Sequence, residues 1–411
     1  MFQIDTNPCS TFKELITGVD DKYIDKTESI CKIYDARSRF NLLTRPFGFG
    51  KTVLIDTLFF LFKRGPKSPM FEGLYVSQSE TEFPNHFVIK FDFAALANLK
   101  TADDYIDTFF NFYKKRLYEI NSSLGVELNR DEKFYWITHH FLSEIASVSN
   151  TKKIVILIDN YDVPYLHNLY NNNFEDKNEV LSQFYKALYD CETLIDWCLL
   201  VGETKFSLSS KKQEGIPYIT DLTYDSLSVN VCGFTQGELK KHFQSELEEL
   251  ADATEQTVEM LLGNLSSWHG DYRFTGHNIK VYRPASINIV LTSKDITTFS
   301  CLYPYNHLSK ILIPLINKFE RYHEKLLLPN TCGYAFTEFN KYNNVNFFAL
   351  LCQIGIFTLS TVELVDDKTK CYNTYKYYCM IVNREMREIY SRLLKSSNIY
   401  NKTDEDEELA N

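Results

Sequence analysis

Five consecutive β-branched or leucine residues, Ile154-Val155-Ile156-Leu157-Ile158, end in Asp159. An unbroken apolar run of strand length reads as a strand buried on both faces, which calls for a parallel sheet covered by helices on either side. A carboxylate at the carboxyl end of such a strand lies where ligands of open α/β sheets bind. The rest of the chain must then supply the neighbouring strands, the covering helices and whatever meets that carboxylate.

The partner stretch lies about a hundred residues upstream. Arg39-Phe40-Asn41-Leu42-Leu43-Thr44 reads as a short buried strand and Arg45-Pro46-Phe47-Gly48-Phe49-Gly50-Lys51-Thr52 as a loop. Val53, Leu54, Leu58, Phe59, Leu61 and Phe62 then recur at helical spacing until Gly65-Pro66. Strand, glycine loop and helix in this order suit a polyphosphate, because backbone N–H groups of residues 48 to 52 can converge on it at the positive end of a helix. The expected contact set is Arg45, Gly48, Phe49, Gly50, Lys51, Thr52 and Val53. Lys51 is expected to reach the β- and γ-phosphates, and the Thr52 hydroxyl to hold Mg²⁺. Arg45 stands where a glycine is usual, five residues before Gly50, and Gly48 supplies a second glycine inside the loop. In the plainer reading Gly50 is a turn glycine and Lys51 a solvated residue at a helix start.

Asp159 is expected opposite Thr52, binding Mg²⁺ directly or through water. The next residue in hydrolases is often a Glu that polarises the attacking water. Here it is Asn160, and an amide cannot act as a base; Asp162 is a candidate substitute. The run Ile195-Asp196-Trp197-Cys198-Leu199-Leu200-Val201 reads as a strand beside the acidic one. At its tip Thr204 is a candidate γ-phosphate sensor and Lys205 a candidate source of positive charge for a transferring phosphoryl group.

In chain order, residues 1–20 read as a poorly ordered arm and 21–233 as the nucleotide-binding core. Asp25 and Lys26 lie upstream of the loop, where a segment can approach a nucleotide base. Phe87 to Phe93 reads as a strand, Asp103 to Ser149 as two helices, Glu179 to Glu192 as a helix and Tyr224 to Cys232 as a last sheet element. Residues 234–340 read as a helical region opened by a capping box at Thr235-Gln236-Gly237-Glu238. Phe347 to Leu359 reads as a buried core helix. With strands at Thr358 to Glu363 and Lys376 to Val382 and a helix at Arg384 to Lys395, it makes residues 341–396 a winged-helix-like unit. Residues 397–411 read as a solvated acidic tail.

A net charge of −10 argues against a large nucleic-acid footprint as the main activity. The ten cysteines show neither Cys-x-x-Cys nor zinc spacing, which fits reduced thiols in a cytosolic or nuclear compartment. Cys191, Cys198, Cys371 and Cys379 are expected in the core rather than as ligands. No secretory signal opens the chain, and no apolar run is long enough to span a bilayer, so no membrane partner is expected.

Taken together, Tyr23 to Thr27, Arg45-Pro46 with Phe49 to Thr52, Leu157 to Asp162 with Pro164, and Cys232 to Thr235 resemble the AAA-ATPase-like domain family. Trp268 to Phe274, Val281 to Pro284 and Ile381 to Glu385 extend that resemblance from about residue 22 to about 394. It implies an α/β phosphate-loop ATPase core of the AAA type with the acidic strand next to the phosphate-loop strand, followed by a mainly helical region. It also implies ATP over GTP; Mg²⁺ is expected from Thr52 and Asp159, and a protein partner is expected as well. Members often carry a restriction-like nuclease domain, which is not expected here because no Asp…Glu-x-Lys site is found. Two departures weaken catalysis: the family usually has two basic residues where this chain has Phe47-Gly48, and Glu where it has Asn160. The expectation is a Mg-ATP-binding protein with weak or switch-like hydrolysis, or else a non-enzymatic scaffold that keeps the nucleotide-binding architecture.

Overall fold

The computed structural model describes residues 11–18, 22–120, 128–149, 151, 153–166, 174–210, 215–275, 278–295, 308–314, 316, 330–333, 347–365 and 374–397. Five strands form the central sheet: β1 (Phe40–Thr44), β2 (Phe87–Asp92), β3 (Ile154–Asp159), β4 (Ile195–Gly202) and β5 (Thr220–Asp221), in the order β2-β3-β4-β1-β5. Every pairing is parallel, with Phe91 opposite Ile158, Ile158 opposite Leu200, and Leu42 opposite Leu200 on the other side. All six residues of β3 are buried, as its composition requires. One expectation is corrected here. The acidic strand β3 is not next to the phosphate-loop strand β1, because β4 pairs with both and lies between them. The chain leaves β1 through a helix and returns at β2, three positions away, so β3 and then β4 fill the gap between them.

The abundant Phe and Tyr build the two helical layers. On one face, Phe91 of β2 meets Phe109 and Phe112 of the helix Ala102–Ile120 and Phe184 of the helix Phe174–Asp190, with centroids 4.8 to 6.1 Å apart. On the other, Tyr34, Phe62, Phe83 and Trp197 interlock beneath the helix Lys51–Arg64. Edge and tilted contacts of this kind add to burial. Cys191, Cys198 and Cys379 are buried thiols, and Cys371 lies outside the described residues.

Three further expectations change. The helix Phe12–Thr17, closed by a capping box at Thr11 and Glu14, buries Phe12 against Tyr23 and Phe71, so that part of the expected arm is anchored. Tyr224 to Cys232 is not a strand: it holds a single 3₁₀ turn at Ser226–Ser228, and the sheet ends at β5. The apolar run from Phe347 divides into a helix, Phe347–Gln353, and a strand from Phe357, because Gly355 adopts φ 84° and turns the chain. The acidic residues from 398 onward lie outside the described residues, as does the 1–10 stretch.

Beyond Gly233 the capping box at Thr235 and Glu238 forms as expected. Helices Gln236–His242, Gln244–Ala253, Val258–His269 and Pro284–Ser293 close a second core around Leu247, Leu265 and Ile287. Ile24 plugs into that core, and Lys22 and Lys26 form ion pairs with Glu246 and Glu238. A three-stranded antiparallel sheet follows, β6 (Asn330–Gly333), β7 (Phe357–Val365) and β8 (Thr374–Ile381), ordered β6-β8-β7, with the helix Arg384–Lys395 after it. No helix among the described residues is long and apolar enough to cross a membrane.

Candidate functional site

The carboxyl ends of β1, β4, β3 and β2 bring Lys51, Glu203, Asp159 and Asp92 to one edge of the sheet. Gly50, with φ 85° and open space where a Cβ would stand, turns β1's loop into the helix beginning at Lys51. That conformation suits glycine alone at little cost. Lys51 is buried, and its ammonium donates to the carbonyls of Arg45 at 2.8 Å and Pro46 at 3.0 Å. Glu203 Oε1 stands 3.9 Å from it.

Asp159 is 2 % exposed. Burial pushes its carboxyl up, against the opposing pull of the Thr52 hydroxyl beside it; Asp92 adds to the rise, while Lys51 and Lys90 counter it. A buried carboxylate beside a hydroxyl from the first turn of the loop's helix is an oxygen donor pair suited to a hard divalent cation. Mg²⁺ takes one or two protein oxygens and completes its shell with phosphate and water. Among the described residues no cluster of three or more His, Cys, Asp or Glu offers a closed protein cage.

Asn160 sits in the left-handed region at φ 56°, tolerated by Asn better than by most residues. Its side-chain amide donates to Asp92 Oδ1 at 2.9 Å, tying the tip of β3 to the tip of β2. Asp162, the candidate substitute base, is engaged elsewhere. Its Oδ2 accepts from the backbone N–H groups of Glu203 and Thr204 at 2.9 and 2.8 Å and from the Thr204 hydroxyl at 2.8 Å. Burial, with Glu203 adding to it, pushes Asp162 up to about 6, and the Thr204 donors hold it back. The hydroxyl of Thr204, the candidate sensor, is therefore bonded to Asp162.

Lys205 points the other way. Its ammonium pairs with Asp221 of β5 and lies 4.7 Å from the centroid of the Tyr224 ring, while its backbone N–H donates to Gln353 at 2.9 Å. Arg45 is also turned from the loop's concave side. Its guanidinium donates to the carbonyls of Thr44, Thr223 and Ser228 at 2.7 to 2.8 Å and stacks 4.1 Å from the centroid of Phe274. Burial lowers it to about 10. Both cations are held by protein partners behind the sheet edge. Val53 is partly buried against the core, and its carbonyl accepts from Thr57 at 2.8 Å.

The loop is held from behind. Phe49 is buried edge-on against Tyr272 and Phe274, with centroids 4.8 and 5.4 Å away. Gly48 accepts at its carbonyl from Ala285 N–H, and a Cβ on Gly48 would meet Ala285 Cβ at 2.9 Å. A Cβ on Gly355 would meet Pro46 Cβ at 2.6 Å. Arg273 turns to β7, donating to the Ser360 carbonyl at 3.3 Å. Asp25 accepts from Thr27 and from the Tyr75 backbone N–H, so both its oxygens are used within the fold. Burial lowers Lys26, opposed by Glu238.

Sequence reasoning did not single out Glu203, Asp92, His269 or Ser286. Glu203 had a readable signal, since Gly202-Glu203 follows a buried strand just as Asp159 ends one. The grouping of His269, Arg283, Ser286 and Glu385 had none, because its members come from separate elements.

Residues 8–211 match the family described as predicted AAA-ATPase, AAA-ATPase-like. The chain is also 26% identical over 287 residues to an uncharacterized protein in the vnfD 5' region of Azotobacter chroococcum mcd 1. That match covers 69% of this chain and 51% of the relative, so the chain spans about half the length of the curated relative it matches. No solved structure matches.

Proposed function

We propose, from the match of residues 8–211 to the predicted AAA-ATPase family, that the chain binds Mg-ATP and hydrolyses it slowly, as a switch acting on a protein partner. The observation that carries this reading is the buried Lys51 ammonium and the buried Asp159 carboxylate, with the Thr52 hydroxyl beside that carboxylate, at the tips of strands separated by β4. On binding, the Lys51 ammonium exchanges the carbonyls of Arg45 and Pro46 for β- and γ-phosphate oxygens. Backbone N–H groups of residues 48 to 52 hold the polyphosphate at the helix N-terminus. Thr52 and Asp159 would hold Mg²⁺, which would neutralise charge on the phosphates. Gly48, Phe49 and Gly50 shape the loop; Arg45, Thr204 and Lys205 act as supports of the site rather than as phosphate ligands. ATP is preferred to GTP on family grounds. The winged-helix-like reading of residues 341–396 and a domain boundary near Gly233 belong to the same proposal.

Calorimetry of Mg-ATP with phosphate release followed on the same sample, for wild type and Lys51→Ala, tests it. Binding that weakens at least about tenfold in the variant is expected. A wild-type chain with no Mg-ATP affinity, or a variant that binds as well, sinks the proposal.

A second reading is a nucleotide-stapled scaffold with no turnover. Asn160 favours it, since its amide is spent on Asp92 and cannot take a proton. Turnover at the pace of ordinary ATPases, about 1 s⁻¹ or faster, rules it out.

A further inference from the structure

Hydrolysis needs a group that orients water on the γ-phosphorus, and Asn160 cannot take its proton. The geometry points to Glu203 as the general base for hydrolysis of bound ATP, in place of a glutamate after Asp159. This inference rests on the Mg-ATP reading of the site.

Four observations meet at Glu203. Its Oε1 is 3.9 Å from the ammonium of Lys51, with the two side chains 11 % and 8 % exposed. It sits at the tip of β4, the strand between β1 and β3, and so between the loop and Asp159. Its backbone is fixed by its N–H donating to Asp162 Oδ2 at 2.9 Å. That bond depends on Gly202, where a Cβ would overlap Asp162 Oδ1, so the turn presenting Glu203 is built around a glycine. At the same edge Asp162 accepts three hydrogen bonds on one oxygen, Asp92 Oδ1 accepts from Asn160 and the Ala94 N–H, and Asp159 Oδ1 accepts from the Asn160 N–H. When Lys51 turns to the phosphates, the carboxylate facing it stands beside the γ-phosphate.

In the proposed step the water oxygen forms a bond to the γ-phosphorus and the bond from that phosphorus to the β,γ-bridging oxygen breaks. The electron pair of the broken bond stays on ADP, where Lys51 faces the new charge. The water proton passes to the Glu203 carboxylate and from there to solvent. Nothing is oxidised or reduced.

The test uses the full chain as wild type and Glu203→Gln, with calorimetry of Mg-ATP and single-turnover phosphate release. The glutamine variant removes a negative charge beside the polyphosphate, so it is expected to bind Mg-ATP at least as tightly as wild type. Its hydrolysis is expected to fall about 100-fold or more. Glu203→Asp, which keeps the charge but withdraws it by one methylene, is expected to keep wild-type melting behaviour and affinity and still lose most turnover. That second variant decides the matter should the glutamine variant not fold. Hydrolysis within about threefold of wild type in either variant overturns the inference. So does binding lost in step with turnover, which makes Glu203 a structural counterion of Lys51. A wild type that binds Mg-ATP without turning it over also overturns it and leaves the binding reading standing, whereas a wild type that does not bind removes the reading beneath it.

Discussion

Asp162 and Glu203 are both buried carboxylates at strand tips, yet their bonds give them different work. Asp162 faces three donors from the β4 turn and holds that turn closed, while Glu203 faces Lys51. Gly202 makes the arrangement possible, since an added Cβ would overlap Asp162 and meet the Tyr161 ring at 2.7 Å. Gly202→Ala is therefore expected to destabilise the chain by about 1–3 kcal/mol through overpacking, read as a lower denaturant midpoint at unchanged slope. Asn160 is a second backbone-limited position. With φ 56° a longer side chain is strained there, so Asn160→Glu is expected to lose about 1 kcal/mol of stability in the same assay, and Asn160→Gly to lose less.

At the scale of the element, the loop of residues 45 to 50 is clamped rather than free. Arg45 is stapled to Thr223 and Ser228, Phe49 is buried between Tyr272 and Phe274, and Gly48 and Pro46 touch Ala285 and Gly355. Phe49 thus adds an aromatic anchor to a loop that also turns on Gly48 and Gly50. Truncating it by Phe49→Ala is expected to cost about 3–5 kcal/mol, as for other buried aromatics. The same change is expected to speed hydrogen exchange at the N–H groups of residues 48 to 52, read by mass spectrometry. Exchange that stays at the wild-type rate would show that the glycines hold the loop unaided.

At the scale of the molecule, Glu385 ties the C-terminal helix to the helical region behind the loop. Its buried carboxylate accepts from Arg283 at 2.7 Å, from Ser286 at 3.0 Å and from His269 at 3.1 Å, and the Arg283 side chain packs 3.5 Å from where a Gly48 Cβ would stand. Burial alone would raise Glu385, but Arg283, His269 and Ser286 outweigh it and hold the carboxyl below its ordinary 4.5. A folded value below the unfolded one stabilises the protein above about pH 4.5 and loses that contribution as pH falls through the folded value. The acid limb of the stability curve is thus expected to be shallower in Glu385→Gln than in wild type. Glu385→Ala leaves Arg283 buried without its carboxylate and is expected to cost about 3–5 kcal/mol in equilibrium unfolding.

What could be read from the sequence was local and periodic. The buried strand ending in Asp159, the glycine loop entering a helix at Lys51, the Thr235 capping box and most helices follow from short-range pattern, because hydrogen-bond closure and burial of one face act over a few residues. The order of the strands did not follow, since β4 enters between β1 and β3 from far along the chain and no local signal marks that. The use of each polar side chain was equally hidden. Arg45, Thr204 and Lys205 look like phosphate ligands in sequence, and only their tertiary partners, Ser228, Asp162 and Asp221, show where their hydrogen bonds go. Strand tips can be named from composition, but which charges face one another across them is decided by packing at long sequence separation.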